Sequence, residues 1–282
     1  MPHKPQLWPV IHHRDVPTTL ANAKLAEENG CVGVFLIHHQ GRDHELNEPA
    51  RLIKAELKLK IGINRLTTPP DESIRQNIAV EADATWANNC GVSSFGSSEV
   101  TERIQTALKN HPEHLFFVSV AFKYQVHELQ PARAALNSYP AGFIPVTSGA
   151  KTGSAPSVSR ILFMDAALPE VALGIASGIT TKNVEDFLPA TKYFLVATGI
   201  SKDFHTFNPE KLRVLAEKIH SYREQEQDLG AFGLTPDETK HEIVKALIGK
   251  TEAEAKTICE QFGIPLTVIQ VEDGKITHAH YG

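Results

Sequence analysis

Two stretches near the middle of the chain, Val171-Ala-Leu-Gly-Ile-Ala-Ser-Gly-Ile-Thr180 and Tyr193-Phe-Leu-Val-Ala-Thr-Gly-Ile-Ser-Lys202, decide how it is read. Each begins as a short apolar run without polar alternation, as a strand covered on both faces requires. Each run then gives way to a hydroxyl residue and a glycine, Ser177-Gly178 and Thr198-Gly199. Helical patterns follow both, over Thr181–Leu188 and Pro209–Gln227. Two successive strand–turn–helix units predict parallel strands with helices packed outside them.

Working outward, the same alternation extends back to the N-terminus. Strands are expected at Trp8–His12, Val32–His39, Lys58–Asn64, Ala84–Asn88, Leu115–Lys123 and Gly142–Thr147, before Val171–Ala176 and Tyr193–Thr198. Helices are expected between them at Thr18–Asn29, Glu48–Leu57, Asp71–Glu81, Ser97–Asn110, Glu128–Ser138 and Ser157–Ala166, with Gly30 stopping the first. Eight β–α units within residues 1–228 match a TIM (β/α)8 barrel, which typically takes about 250 residues. A doubly wound open sheet is the alternative, disfavoured by eight units and the lack of an early Gly-rich fingerprint. Past a linker at 230–237, residues 235–282 predict a small α+β module. It has helices at Pro236–Leu247 and Glu252–Phe262 and strands at Leu266–Val271 and Lys275–Ala279, joined at the hairpin signal Asp273-Gly274. The expected fold class is α/β, a barrel followed by this module.

Composition bounds the function. A chain of 282 residues, 41% hydrophobic and 22% charged, can bury roughly three quarters of its unfolded surface. It needs no disulfide or metal for that core. A net charge of −5 offers no electrostatic basis for binding nucleic acid. No apolar run approaches a membrane span, and the N-terminus lacks a signal core. Cys31, Cys90 and Cys259 are odd in number and widely spaced, as in a reduced cytoplasmic protein. No cofactor is expected.

In such barrels the chemistry sits where strands end. Gly turns after strands seven and eight let backbone N–H groups approach an anion, so Ser177, Gly178, Thr198 and Gly199 are candidate phosphate ligands. They are alternatively ordinary turn residues. The loop Thr147–Pro156 brings Lys151 as a possible counter-charge or leaves it in solvent. On strand five, period-two alternation places Lys123 above the small Ser119 and Ala121 on the inner face, as an anion ligand, acid, base or amine nucleophile. An outward Lys123 in a salt bridge is equally open. One of His12/His13 and one of His38/His39 can face the mouth. His12 and His38 are the candidates for acid–base work, with a divalent metal as the weaker alternative because no His-x-x-x-His spacing supports it. Asn64 and Asn88, at the ends of strands three and four, are candidate donors to substrate oxygens.

Lys60-Ile-Gly-Ile-Asn-Arg-Leu-Thr, Ser119-Val-Ala-Phe-Lys123, Thr147-Ser-Gly-Ala-Lys-Thr-Gly, Ser177-Gly-Ile-Thr-Thr-Lys-Asn-Val and Thr198-Gly-Ile-Ser-Lys-Asp, in that order, resemble motifs of the BtpA/SgcQ family. The resemblance covers residues 1 to about 220 and implies a ribulose-phosphate-binding-type barrel with a phosphate-handling mouth. That family includes a photosystem-assembly factor and proteins linked to sugar or nucleoside metabolism. This chain departs from it where Ile37, His38 and His39 replace an acidic residue and Asn, and where Ser119 and Ala121 replace Asp and His. Only Lys123, Asn64 and the late phosphate motifs carry over.

The expected function is therefore an enzyme acting on a phosphorylated sugar or nucleotide-like substrate by ribosyl transfer, cleavage or isomerisation. The alternative is a non-catalytic phosphate-ligand barrel, a sensor or assembly factor. The expected partner is that small molecule, with neither nucleic acid nor membrane, in a homo-oligomer.

Overall fold

A computed structural model describes residues 4–222, 266–272 and 275–281. Eight parallel strands close into a barrel in chain order: β1 (Gln6–His12), β2 (Gly33–Ile37), β3 (Lys60–Asn64), β4 (Ala84–Ala87), β5 (Leu115–Ser119), β6 (Ile144–Thr147), β7 (Gly174–Ala176) and β8 (Tyr193–Val196). Gln6 pairs with Tyr193 to seal β1 against β8, and Val10 lies opposite Phe35 across β1 and β2. Outside run α1 (Val16–Glu28), α2 (Asn47–Glu56), α3 (Pro70–Ala79), α4 (Glu99–Leu108), α5 (Pro131–Ser138), α6 (Val158–Ala166) and α7 (Pro209–Ser221). This is the expected TIM barrel.

The helices start where local chemistry dictates. The Asp15 carboxylate accepts from Thr18 N (2.8 Å), Ser157 Oγ from Arg160 N and Asn208 Oδ1 from Lys211 N, each satisfying an otherwise orphaned first-turn donor. Gly30, at φ +69°, ends α1 in the left-handed conformation.

Pleat alternation splits the core in two. Outward residues such as Leu7, Ile11, Leu36, Ile61, Ile63 and Phe194 meet the helices. The inward set is aromatic at its base, where Trp8, Phe35, Phe117 and Tyr193 make tilted and edge-to-face contacts with centroids 5.1–5.7 Å apart. Phe35 lies over Gly62, so closely that a Cβ there would collide with its ring. Trp86 donates its indole N–H to Ser119 Oγ at 2.9 Å. Above this floor the interior turns polar.

Three expectations are corrected. Strand five stops at Ser119 rather than Lys123, because Ala121 (φ +48°) and Tyr124 (φ +63°) take left-handed backbone that no strand continues. The helix expected over Thr181–Leu188 is two 3-10 turns, Val184–Asp186 and Leu188–Ala190. There Asn183 Oδ1 accepts from Thr180 N (2.8 Å) and Asn183 Nδ2 donates to Gly178 O (2.9 Å), a local network that competes with helix, and Pro189 lacks an N–H. Helix α5 begins at Pro131, not Glu128, whose carboxylate instead accepts from Ser94 N and Gln130 N. Beyond the barrel, β9 (Leu266–Glu272) and β10 (Lys275–Tyr281) pair antiparallel as expected. The helices expected at Pro236–Leu247 and Glu252–Phe262 lie outside the described residues.

Candidate functional site

A cavity of about 520 Å³ opens at the C-terminal ends of the strands. Alternation along the strands explains its walls. On β1, Trp8 and Val10 face inward, so His12 follows them to the rim; on β2, Phe35 and Ile37 are inward and deliver His39. Asn64 ends β3, and Asn88 continues the Ala84–Trp86 face of β4. Ser177, Gly178, Thr198 and Gly199 close the side formed by β7 and β8, and Phe204 arches over His12.

Lys123 reaches this cavity by a route other than strand alternation. The left-handed turn at Ala121 redirects the chain, Lys123 N donates to Ser148 Oγ (2.9 Å), and the Lys123 amine hydrogen-bonds the Ser177 hydroxyl. Ser177 itself has φ +98°, strained for a residue with a side chain. Nζ lies 5.3 Å from the Phe122 ring centroid, and burial lowers the lysine pKa.

The His12 ring nitrogen Nδ1 lies 3.0 Å from Phe204 O, so it carries the proton and donates, leaving Nε2 as the open acceptor. Its pKa is depressed to about 4, chiefly by burial and then by His39, whose ring stands edge-on at 4.4 Å. The pKa of His39 is likewise lowered, by burial and then by Lys123. The loop behind is pinned: the His205 ring donates to His12 O (2.9 Å), and Asn22 bridges His205 O and Phe207 N.

His38 is not in the mouth. It points outward, 2% exposed, its Nδ1 accepting from Gln40 N and Arg42 N and its Nε2 3.5 Å from Glu45. His13 faces the same outer layer, with Nδ1 2.7 Å from Thr19 Oγ1. The inward histidine of strand two is His39. Both faces of β2 are apolar, so parity along that strand alone does not choose between the neighbours. Lys151 is exposed and outside the cavity wall, which its neighbour Thr152 joins instead. The sequence reading also missed Phe204, Trp86 and Phe122 as wall residues. Phe122 follows the kink at Ala121, which no periodicity announces.

Two features mark the cavity. The first is charge. Its lining includes the amine of Lys123 and no carboxylate. The second is unmet hydrogen bonding. Among the described residues, the backbone N–H groups of Gly178 and Gly199 donate to no protein acceptor. Asn64 Oδ1 and Asn88 Oδ1 are buried without partners, a costly state unless a ligand supplies donors. Among the described residues no cluster of three His, Cys, Asp or Glu side chains is placed to hold a metal ion.

No family model matches the chain, and no curated protein matches it in sequence. Solved structures do match its fold. Phosphoribosyl anthranilate isomerase from Thermus thermophilus superposes with a TM-score of 0.58 at 19% identity, over 77% of this chain and 100% of its own. A 3-hexulose-6-phosphate synthase gives 0.56 at 11% identity, over 75% and 99%. The KGPDC from Streptococcus mutans gives 0.55 at 10%, over 77% and 97%. All three share the TIM-barrel fold described above. At these identities the likeness is one of fold alone.

Proposed function

We propose that the mouth binds the phosphate of a small phosphorylated sugar or nucleotide-like substrate and catalyses its transfer, cleavage or isomerisation. We propose further that the chain is a divergent BtpA/SgcQ-type barrel, cytoplasmic and homo-oligomeric, spanning residues 1–228 with an appended module at 235–282. The observation that carries the reading is the convergence of Lys123 with unpaired N–H groups at the β7 and β8 ends, in a cavity without a carboxylate. Backbone donors at these two strand ends are a common phosphate cradle of such barrels, and a partly desolvated lysine ammonium favours an anion over water. Ser177 and Thr198 add hydroxyls. Asn64 and Asn88 accept from substrate hydroxyls through their unpartnered oxygens. His12, neutral at pH 7 with Nε2 free, takes or returns a proton there.

Inorganic phosphate tests the cradle. It should raise the melting temperature of the wild type by several degrees and leave Lys123→Met unmoved, while the variant's own melting temperature stays within a few degrees of wild type. Equal stabilisation of both would remove Lys123 from the cradle. The absent inward carboxylates favour one rival, a non-catalytic ligand sensor. Release of product from a panel of sugar phosphates and nucleotides decides against it; stabilisation without turnover decides for it.

A further inference from the structure

We propose that Lys123 is an amine nucleophile, forming an imine with the carbonyl carbon of a phosphorylated aldehyde or ketone held in the barrel mouth. This rests on the phosphate reading above and narrows it to one chemistry.

A lysine that serves only as a counter-charge is normally paired with an acid and stays protonated. Lys123 has no carboxylate partner among the described residues; its amine bonds the Ser177 hydroxyl and lies against the Phe122 ring. The titratable wall groups around it are His12 and His39, whose protonation the lysine opposes, and Tyr124, which favours the charged lysine. Burial lowers the lysine pKa and so brings the free amine within reach, against the opposing effects of Tyr124, the Ser177 hydroxyl and the Phe122 ring. Ser177 is held in strained backbone with its hydroxyl on Nζ, and a hydroxyl there can carry a proton between nitrogen and the departing oxygen.

The step balances without redox. The Nζ lone pair bonds to the carbonyl carbon while the C=O π pair moves to oxygen. One N–H proton passes to that oxygen through Ser177, giving a carbinolamine. The hydroxyl then leaves with a second proton as water, and the C=N bond forms. His12, with Nε2 open, is placed on the same cavity wall to exchange protons with the carbon beside the imine. Once the imine nitrogen takes up a proton from solvent, it draws electrons from that carbon without any carboxylate at the reacting centre. The unpaired N–H groups of Gly178 and Gly199 hold the phosphate end of the same molecule.

The test uses the full-length protein with D-glyceraldehyde 3-phosphate or dihydroxyacetone phosphate and sodium cyanoborohydride, read by intact mass and peptide mapping. The expected result is one reduced adduct per chain, on Lys123, blocked by excess inorganic phosphate and absent when glyceraldehyde without phosphate is used at the same concentration. Lys123→Arg, which keeps the charge, should bind phosphate yet form no adduct. Ser177→Ala should slow trapping about tenfold or more. Adducts scattered over surface lysines, or an unlabelled Lys123 in a protein that phosphate still stabilises, would overturn the imine while leaving the anion site standing. Loss of both trapping and phosphate stabilisation would overturn the imine and the phosphate cradle together.

Discussion

A carboxyl oxygen without a partner sits on α6: Asp165 Oδ1 is buried and makes no hydrogen bond. Burial raises its pKa to about 7. The folded chain therefore keeps this proton up to near neutrality, whereas the unfolded chain releases it near 3.8. The sign follows from linkage. The protein loses stability as pH climbs from 3.8 through 7, and the full penalty holds above that. Replacing Asp165 by Asn removes the charge at nearly constant shape. It should raise the melting temperature at pH 8 by about 3–6 °C and have little effect at pH 4, as thermal unfolding followed by circular dichroism would show. At the same scale, Lys123 and His12 are poised by neighbours distant in sequence. Burial and Phe204 O, 192 positions from His12, set the proton state of that ring.

Strand β3 shows how one element sets both floor and rim. Gly62 faces inward beneath the Phe35 ring, which is itself confined by Trp8, Trp86 and Phe117. A methyl group at Gly62 has no ring able to give way. Gly62→Ala should cost about 2 kcal/mol in urea unfolding, and adding Phe35→Leu should recover part of it. Two residues on, Asn64 faces the mouth while Arg65 turns outward and is anchored by Asn77 Oδ1 (2.7 Å), Asp43 O (2.7 Å) and Asn47 Oδ1 (2.6 Å). That anchor holds the strand end, and with it the unpartnered Asn64 amide. The turn after β7 is equally constrained. Gly178 has φ +72°, and a Cβ there would strike the backbone of Ser154 and Ala155, so a bulky residue at 178 disturbs the 147–156 loop as well as the cradle. Side-chain variants at Lys123 and Ser177 probe the cradle more cleanly.

Across the whole barrel, half-buried histidines inside and outside the strands respond to acid together. His12 in the mouth and His114 outside β4 are both lowered to about 4 by burial. His114 nonetheless bonds Thr85 Oγ1 (2.8 Å). Between pH 4 and 6.5 the unfolded chain binds these protons and the folded one does not, so stability falls on acidification, by about 1 kcal/mol per pH unit for each group. Asp165 pushes the other way across much of that window. The acid limb should therefore be steeper in Asp165→Asn than in wild type, and shallower when His114 is replaced by Gln; denaturant melts at pH 4.5, 5.5 and 7 would measure both slopes.

The pattern of short apolar runs and capped helices was by itself sufficient for the barrel. Eight runs covered on both faces, separated by amphipathic stretches, leave few closed arrangements that bury them all. The glycine turns at the ends of β7 and β8 were legible for the same local reason, and both line the cavity. The occupants of the mouth were less legible. His39 rather than His38 faces inward because β2 pairs with β1 and β3 in one register, and a strand apolar on both sides carries no mark of which parity is inner. Lys123 enters through left-handed turns at Ala121 and Tyr124, not through the alternation that first suggested it. Lys151, next to the cavity-lining Thr152, stays outside. Local sequence determines which segments are strands, helices and turns, because propensity, patterning and caps act within a few residues. Only closure of the barrel decides which side chains share the mouth, because that depends on register between strands far apart in the chain and on where each loop is pinned.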